Sequence, residues 1–261
     1  MVRPAADSGG DQPVVGDHVP ASALAIVAHP DDAEFQCGAT LAKWARQGCE
    51  VHHLVLTDGS KGTWDAEADI EALVRRRQQE QRDAAAALGA TGEVVFLGRT
   101  DGELVADVAT RAEVSAVLRR LRPEAVLGHD PWRRYRLHPD HRAAGQLAVD
   151  GIVAARDPFF HPEQLTGRLE VHRPSLLLLF ESDVVDHLEE VAAADTAAKL
   201  AALEAHESQL ETTHFYRLEP GEDRHGVLEA FRDRERAQLA DTGARFGCGP
   251  AESFHRIVDQ L

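Results

Sequence analysis

Two short segments of this chain carry the residue types that metal-assisted hydrolysis needs. His29-Pro30-Asp31-Asp32 and His138-Pro139-Asp140-His141 each combine imidazole and carboxylate groups, with a proline that fixes the backbone where a helix begins. A divalent metal poised for hydrolysis takes a few nitrogen and oxygen ligands and keeps one position open, and histidine with carboxylate suits catalytic zinc. His29, Asp32 and His141 supply such a set. Asp31 and Asp32 are sequence neighbours, so their side chains diverge, and one can ligate while the other takes a proton from attacking water. His138 and His141 share a helix face, which puts a donor beside the metal where negative charge develops. The same aspartates also suit helix N-caps. Repetition of His-Pro-Asp at two strand ends favours the metal reading over capping alone.

The elements around these segments place them together. An apolar run at 23–28 stops at the first motif, and apolar residues then recur at helical spacing until Gly48. Strands are expected at 51–57, 93–97, 125–128 and 175–180, with helices at 66–88, 110–122, from the second motif to about 156, and around 192–210 and 227–239. Strands alternating with helices imply right-handed parallel crossovers, hence an α/β fold: a Rossmann-like three-layer sandwich with a mostly parallel sheet. In the common doubly wound order the first and fourth strands are neighbours across the switch point, so the two motifs that follow them meet in one crevice.

Composition narrows the remaining choices. The 261 residues suit a single domain over 21–261, preceded by a polar Gly/Pro/Asp-rich leader at 1–20 that is expected to be disordered. That leader lacks the apolar stretch of a signal peptide, so a cytoplasmic location is expected. With 44 acidic and 28 basic residues the net charge is −16, which argues against a nucleic-acid or anionic-membrane partner. The longest apolar run, 175–180, is far too short to span a bilayer. Cys37, Cys49 and Cys248 form no metal-binding pair and read as buried free thiols. Acidic helices are compatible with a homo-oligomer. No G-x-G-x-x-G follows the first strand, which disfavours a nucleotide-binding protein. A non-catalytic carbohydrate-binding module would need neither Asp31 nor His138.

His52 and His53 sit within a strand and read as a packed or solvated pair. His161, His172, His187, His214, His225 and His255 lack partner carboxylates at ligand spacing, with His214 kept as a rim residue. Arg133, Arg134 and Arg136, interleaved with Trp132 and Tyr135, precede the second motif. They read either as a clamp for an anionic or sugar-stacked substrate arm or as a solvated loop.

Ala28-His29-Pro30-Asp31-Asp32-Ala33-Glu34, followed by Gly38, resembles the A-H-P-D-D signature of the PIG-L/LmbE-like metal-dependent de-N-acetylases, and Leu137-His138-Pro139-Asp140-His141 resembles their second signature. Arg77-Gln78-Gln79-Glu80 is similar to the family's R-x-x-E helix, and residues 96–102 to its F-L-G-x-x-D-G turn. Lys199 with His206-Glu207-Ser208-Gln209, and Ala251-Glu252-Ser253-Phe254, are similar to weaker segments. The resemblance implies one zinc per chain, or another divalent metal, on His29, Asp32 and His141. It makes Asp31 the general base, His138 the group that stabilises the oxyanion or protonates the amine, and Asp140 the carboxylate that orients His138 and raises its pKa. Arg77 and Asp101 match positions implicated in sugar contact, and Arg133 and Arg136 are added to them from the loop. The implied substrate is a small N-acetylglucosamine-type glycoside that loses its acetyl group; the alternative is an amidase cleaving a larger sugar- or thiol-conjugate amide.

Overall fold

In the computed structural model, which describes residues 12–167, 169–214 and 223–261, eight strands build one sheet in the order β1-β7-β8-β6-β5-β2-β3-β4. These are β1 (Val14–Val15), β2 (Ser22–Val27), β3 (Glu50–Thr57), β4 (Val94–Arg99), β5 (Ala125–His129), β6 (Leu176–Phe180), β7 (His187–Glu190) and β8 (Ala251–Ile257). The helices are α1 (Asp32–Arg46), α2 (Ile70–Ala87), α3 (Val108–Leu121), α4 (Pro139–Arg156), α5 (Ala193–Ala205) and α6 (Arg224–Phe246). β2 is apolar throughout because helices cover both of its faces. Ala23, Ala25 and Val27 pack with Leu41, Trp44 and Ala84, while Leu24 and Ile26 pack with Val114, Leu118 and Leu147. Period-two alternation along one strand thus feeds two cores, giving three layers.

The crevice expected from strand order is present: β2 pairs in parallel with β3 on one side and β5 on the other. Helix starts follow local chemistry. The Asp69 side chain accepts from Ala72 N, and Asp107 accepts from Thr110 N, so α2 begins after residue 66 and α3 before residue 110. The expected strand set omits β7 and β8, of which β8 runs antiparallel to both β6 and β7. Both strands carry buried carboxylates that hide the strand pattern: Glu189 is paired with Lys43 at 2.7 Å and Glu252 with Lys199 at 2.8 Å. Within the segment expected as a leader, Val14–Val15 pair with β7, while residues 1–11 lie outside the described residues. Cys37 and Cys49 are buried as expected, whereas Cys248 is partly exposed.

Two contacts fix α4, the helix that carries the second motif. A Cβ on Gly145 would lie 2.5 Å from His129 O and 2.9 Å from Pro131 N, so the helix rests directly on the end of β5. Near its other end the buried Arg119 donates to the carbonyls of Ala154 (2.8 Å), Asp157 (3.0 Å) and Phe160 (2.8 Å). Among the described residues no helix is long and apolar enough to cross a membrane.

Candidate metal centre and active site

His29 follows β2 and Asp32 opens α1, while His141 comes from the first turn of α4. His29 Nδ1 lies 3.3 Å from Asp32 Oδ2 and 3.3 Å from His141 Nε2, and His141 Nε2 lies 3.2 Å from Asp32 Oδ1. Ligands at ~2.0–2.1 Å in a tetrahedron stand ~3.3 Å apart, so the His29–His141 distance suits a tetrahedral divalent metal, and each Asp32 oxygen meets one of the two histidines at a similar distance. Their electrostatics agree. Burial disfavours a charged His29, yet the Asp32, Asp101 and Asp140 carboxylates hold its pKa well above 6.5. Burial likewise opposes the charge of Asp32, and His141 and His29 nevertheless keep it well below 3.8. The cluster favours positive charge at its centre.

Asp140 does something other than expected. Its Oδ2 lies 3.2 Å from His29 Nε2 and accepts Gly102 N at 2.6 Å, while Oδ1 accepts Leu104 N at 3.2 Å. With Asp101 Oδ1 also 3.2 Å from His29 Nε2, two carboxylates orient His29 through that nitrogen and leave its Nδ1 facing Asp32 and His141. Among the described residues the hydrogen bond to His138 comes from the Asp140 N–H, on Nδ1 at 3.3 Å. The His138 pKa is lowered, by burial first and then by His29 and His141, against a smaller opposing pull from Asp140. Asp140 thus pulls the His138 pKa upward as expected, but burial and the two neighbouring histidines outweigh it.

Asp31 stands at φ 105°, in the left-handed region, just before α1. Arg77 Nη2 donates to Pro30 O at 2.7 Å and approaches Asp31 Oδ2 at 3.4 Å, and Nη1 donates to Gly59 O at 2.9 Å. Burial raises the Asp31 pKa to about 6, with Arg77 opposing and Asp32 adding to the shift. His29, Asp31, Asp32, Arg77, Asp101, His138 and His141 all line one cavity of about 420 Å³, together with Lys61, Gln209 and Thr213.

Arg133 and Arg136 do not line that cavity. Arg133 Nη1 donates to Glu181 Oε1 at 3.0 Å and Arg136 Nη1 donates to Glu181 Oε2, while Trp132 and Tyr135 of the same loop stay exposed. The side chain of His214 lies outside those described.

Two residues absent from the sequence reading join the centre. His129 ends β5 fully buried, its Nε2 3.3 Å from Asp32 Oδ2, its ring stacked on His141 at 4.3 Å, and its Nδ1 3.5 Å from Glu181 Oε2. Burial opposes the charge of Glu181, but His129 and Arg136 draw its pKa down to about 2. Both residues occupy the carboxyl ends of parallel strands, where ligands of such sheets gather, and that placement is the signal that could have found them.

The model of the GlcNAc-PI de-N-acetylase family, PIG-L, matches residues 24–152. A diacetylchitobiose deacetylase from Thermococcus kodakarensis is 35% identical over 186 residues, covering 71% of this chain and 69% of that protein. A 4-oxalmesaconate hydratase from Pseudomonas putida is 32% identical over 167 residues, 59% of this chain and 62% of the relative. The solved structure of the N,N'-diacetylchitobiose deacetylase from Pyrococcus horikoshii superposes with a TM-score of 0.79 at 27% identity, over 92% of this chain and 84% of that one. The matched stretch contains both His-Pro-Asp motifs and with them His29, Asp32 and His141, and by that match and its kinship to the Thermococcus enzyme the chain belongs to the PIG-L family of de-N-acetylases.

Proposed function

We propose that the protein hydrolyses the acetamide of a small N-acetylglucosamine-type glycoside, with one zinc ion held by His29, Asp32 and His141. The observation that carries this reading is the convergence of His29, Asp32 and His141, whose nearest donor atoms approach one another at 3.2–3.3 Å, on the same cavity as Asp31. A divalent metal there supplies Lewis acidity toward the amide oxygen and acidifies water at neutral pH.

The side chains divide the remaining work. Asp31, with its pKa raised to about 6, is ionised at neutral pH yet basic enough to take the proton of the attacking water. Water oxygen bonds to the carbonyl carbon, the C–N bond breaks, and the proton held by Asp31 passes to the departing nitrogen. His138 accepts the Asp140 N–H on Nδ1, which leaves its own proton on Nε2 to donate to the developing oxyanion. Arg77 and Asp101, which both line the cavity, meet the sugar from its wall.

The test is a panel of N-acetylglucosaminides with varied aglycones, incubated with metal-loaded protein while free amine and acetate are measured in parallel. Equal amounts of amine and acetate are expected. Amine accompanied by a different acid would make the protein an amidase of a larger acyl group. A similarity to a hydratase adds a further arm: metal-dependent hydration of an unsaturated acid, without amine release from any glycoside, would overturn the deacetylase reading.

A further inference from the structure

Behind Asp31 lies a polar cluster that the chemistry above leaves unused. Glu34 on α1, His53 on β3, Gln81 on α2 and His206 after α5 are all fully buried. Gln81 Oε1 accepts Asp31 N–H at 3.1 Å, and Gln81 Nε2 donates to Glu34 Oε1 at 2.7 Å. A carboxylate only accepts and a backbone N–H only donates, so the Gln81 amide can stand in one orientation alone. The charge of Glu34 is met by His206 Nε2 at 3.4 Å and His53 Nε2 at 3.7 Å.

We infer that Glu34 and Gln81 are positioning residues for the proposed base: Glu34 orients the Gln81 amide, and Gln81 holds the Asp31 backbone in its left-handed conformation. A residue other than glycine persists at positive φ only where its surroundings over-determine it. Around Asp31 the work is split. Arg77 holds the carboxylate and the preceding carbonyl, whereas the Asp31 N–H rests on Gln81 alone among the hydrogen bonds described. Without that bond the peptide relaxes and the carboxylate swings from its place on the cavity wall. The ligands are held separately, His29 by Asp101 and Asp140, so metal binding survives the change.

The inference rests on the deacetylase reading for its kinetic consequence, and a structural readout keeps the two separable. Gln81→Glu sets two carboxylates face to face, Gln81→Leu removes the amide, and the exchange Glu34→Gln with Gln81→Glu restores one amide and one carboxylate with an acceptor still facing Asp31. Assayed as metal-loaded full chain on the best N-acetylglucosaminide of the panel, each single variant is expected to lose kcat by about 100-fold, the scale of a misplaced reacting group. KM stays within about twofold, one metal per chain is retained, and the double exchange recovers kcat to within about tenfold of the wild type. In a crystal structure of metal-loaded Gln81→Leu, Asp31 moves to negative φ. The inference is overturned by an unchanged Asp31 φ, by unchanged kcat, by loss of metal in step with activity, or by failure of the exchange to restore kcat. If the wild type releases no acetate from the panel, the deacetylase reading fails, and the Asp31 φ in Gln81→Leu still decides the positioning claim.

Discussion

Replacing Asp31 with asparagine is expected to stabilise the metal-free protein while abolishing turnover. Asparagine is close to isosteric and tolerates φ 105°, so the backbone geometry before α1 is preserved. What changes is the burial of a charge. The folded pKa of Asp31 is about 6 against an ordinary 3.8, so the fold disfavours the ionised form. The stability associated with this group is complete below pH 3.8 and is lost as pH rises through about 6. At about pH 7.5 the full shift corresponds to ~3 kcal/mol, and at about pH 4.5 to only ~1 kcal/mol, because most unfolded chains and nearly all folded ones then sit on opposite sides of their titration. For a domain of this size ~3 kcal/mol raises Tm by about 5–10 °C. Differential scanning of the metal-free wild type and Asp31→Asn at both pH values reads the effect, and metal content with kcat on the loaded forms reads the role. A Tm gap that is absent at neutral pH, or that widens on acidification, would refute the burial argument. Loss of metal in Asp31→Asn would move Asp31 into the ligand set.

The metal centre titrates with its ligands: His29 and His141 both have raised pKa values and must be neutral to ligate, so zinc uptake releases protons and log affinity falls by up to about two per pH unit on acidification. Calorimetric titration in buffers of different ionisation heat measures those protons, and their absence would exclude these histidines as ligands. His138→Ala is expected to retain zinc and lose about 100-fold in kcat, with His138→Gln recovering part through its N–H donor. Because the His138 pKa is lowered, its protonation does not set an alkaline limb; a limb that disappears in His138→Ala would restore the imidazolium role. Arg119→Met strands the carbonyls of Ala154, Asp157 and Phe160 and is expected to cost about 3 kcal/mol in chemical denaturation, while kcat of the folded protein at 25 °C is unchanged.

The sequence made the meeting of the two motifs legible because both follow parallel strands whose adjacency is set by right-handed crossovers. It could not show where Asp140 aims. The family resemblance points it at His138, but the first turn of α4 sends its carboxylate across to Gly102, Leu104 and His29. The loop arginines read as a substrate clamp or a solvated loop because their partner Glu181 lies 45 residues beyond Arg136. His53, read with His52 as a packed or solvated pair, is packed against a buried carboxylate four residues after Pro30 in the first motif's helix. β7 and β8 were illegible for the same reason: charges that read as surface are cancelled inside the fold by Lys43 and Lys199.

The seat of α4 on β5 turns one absent methyl group into a tolerance on the metal centre. Gly145 lies one helical turn beyond His141, and a Cβ there would stand 2.5 Å from the carbonyl of His129, so an alanine pushes the helix outward by ~1 Å before contact distances become ordinary. Metal coordination forgives only about 0.2 Å in a ligand distance. The core around α4 can absorb such a shift, but the gap between His141 and His29 cannot. Folding and metal retention therefore have different error margins at the same residue, and Gly145→Ala is the kind of change that passes a test of foldedness and leaves an empty centre.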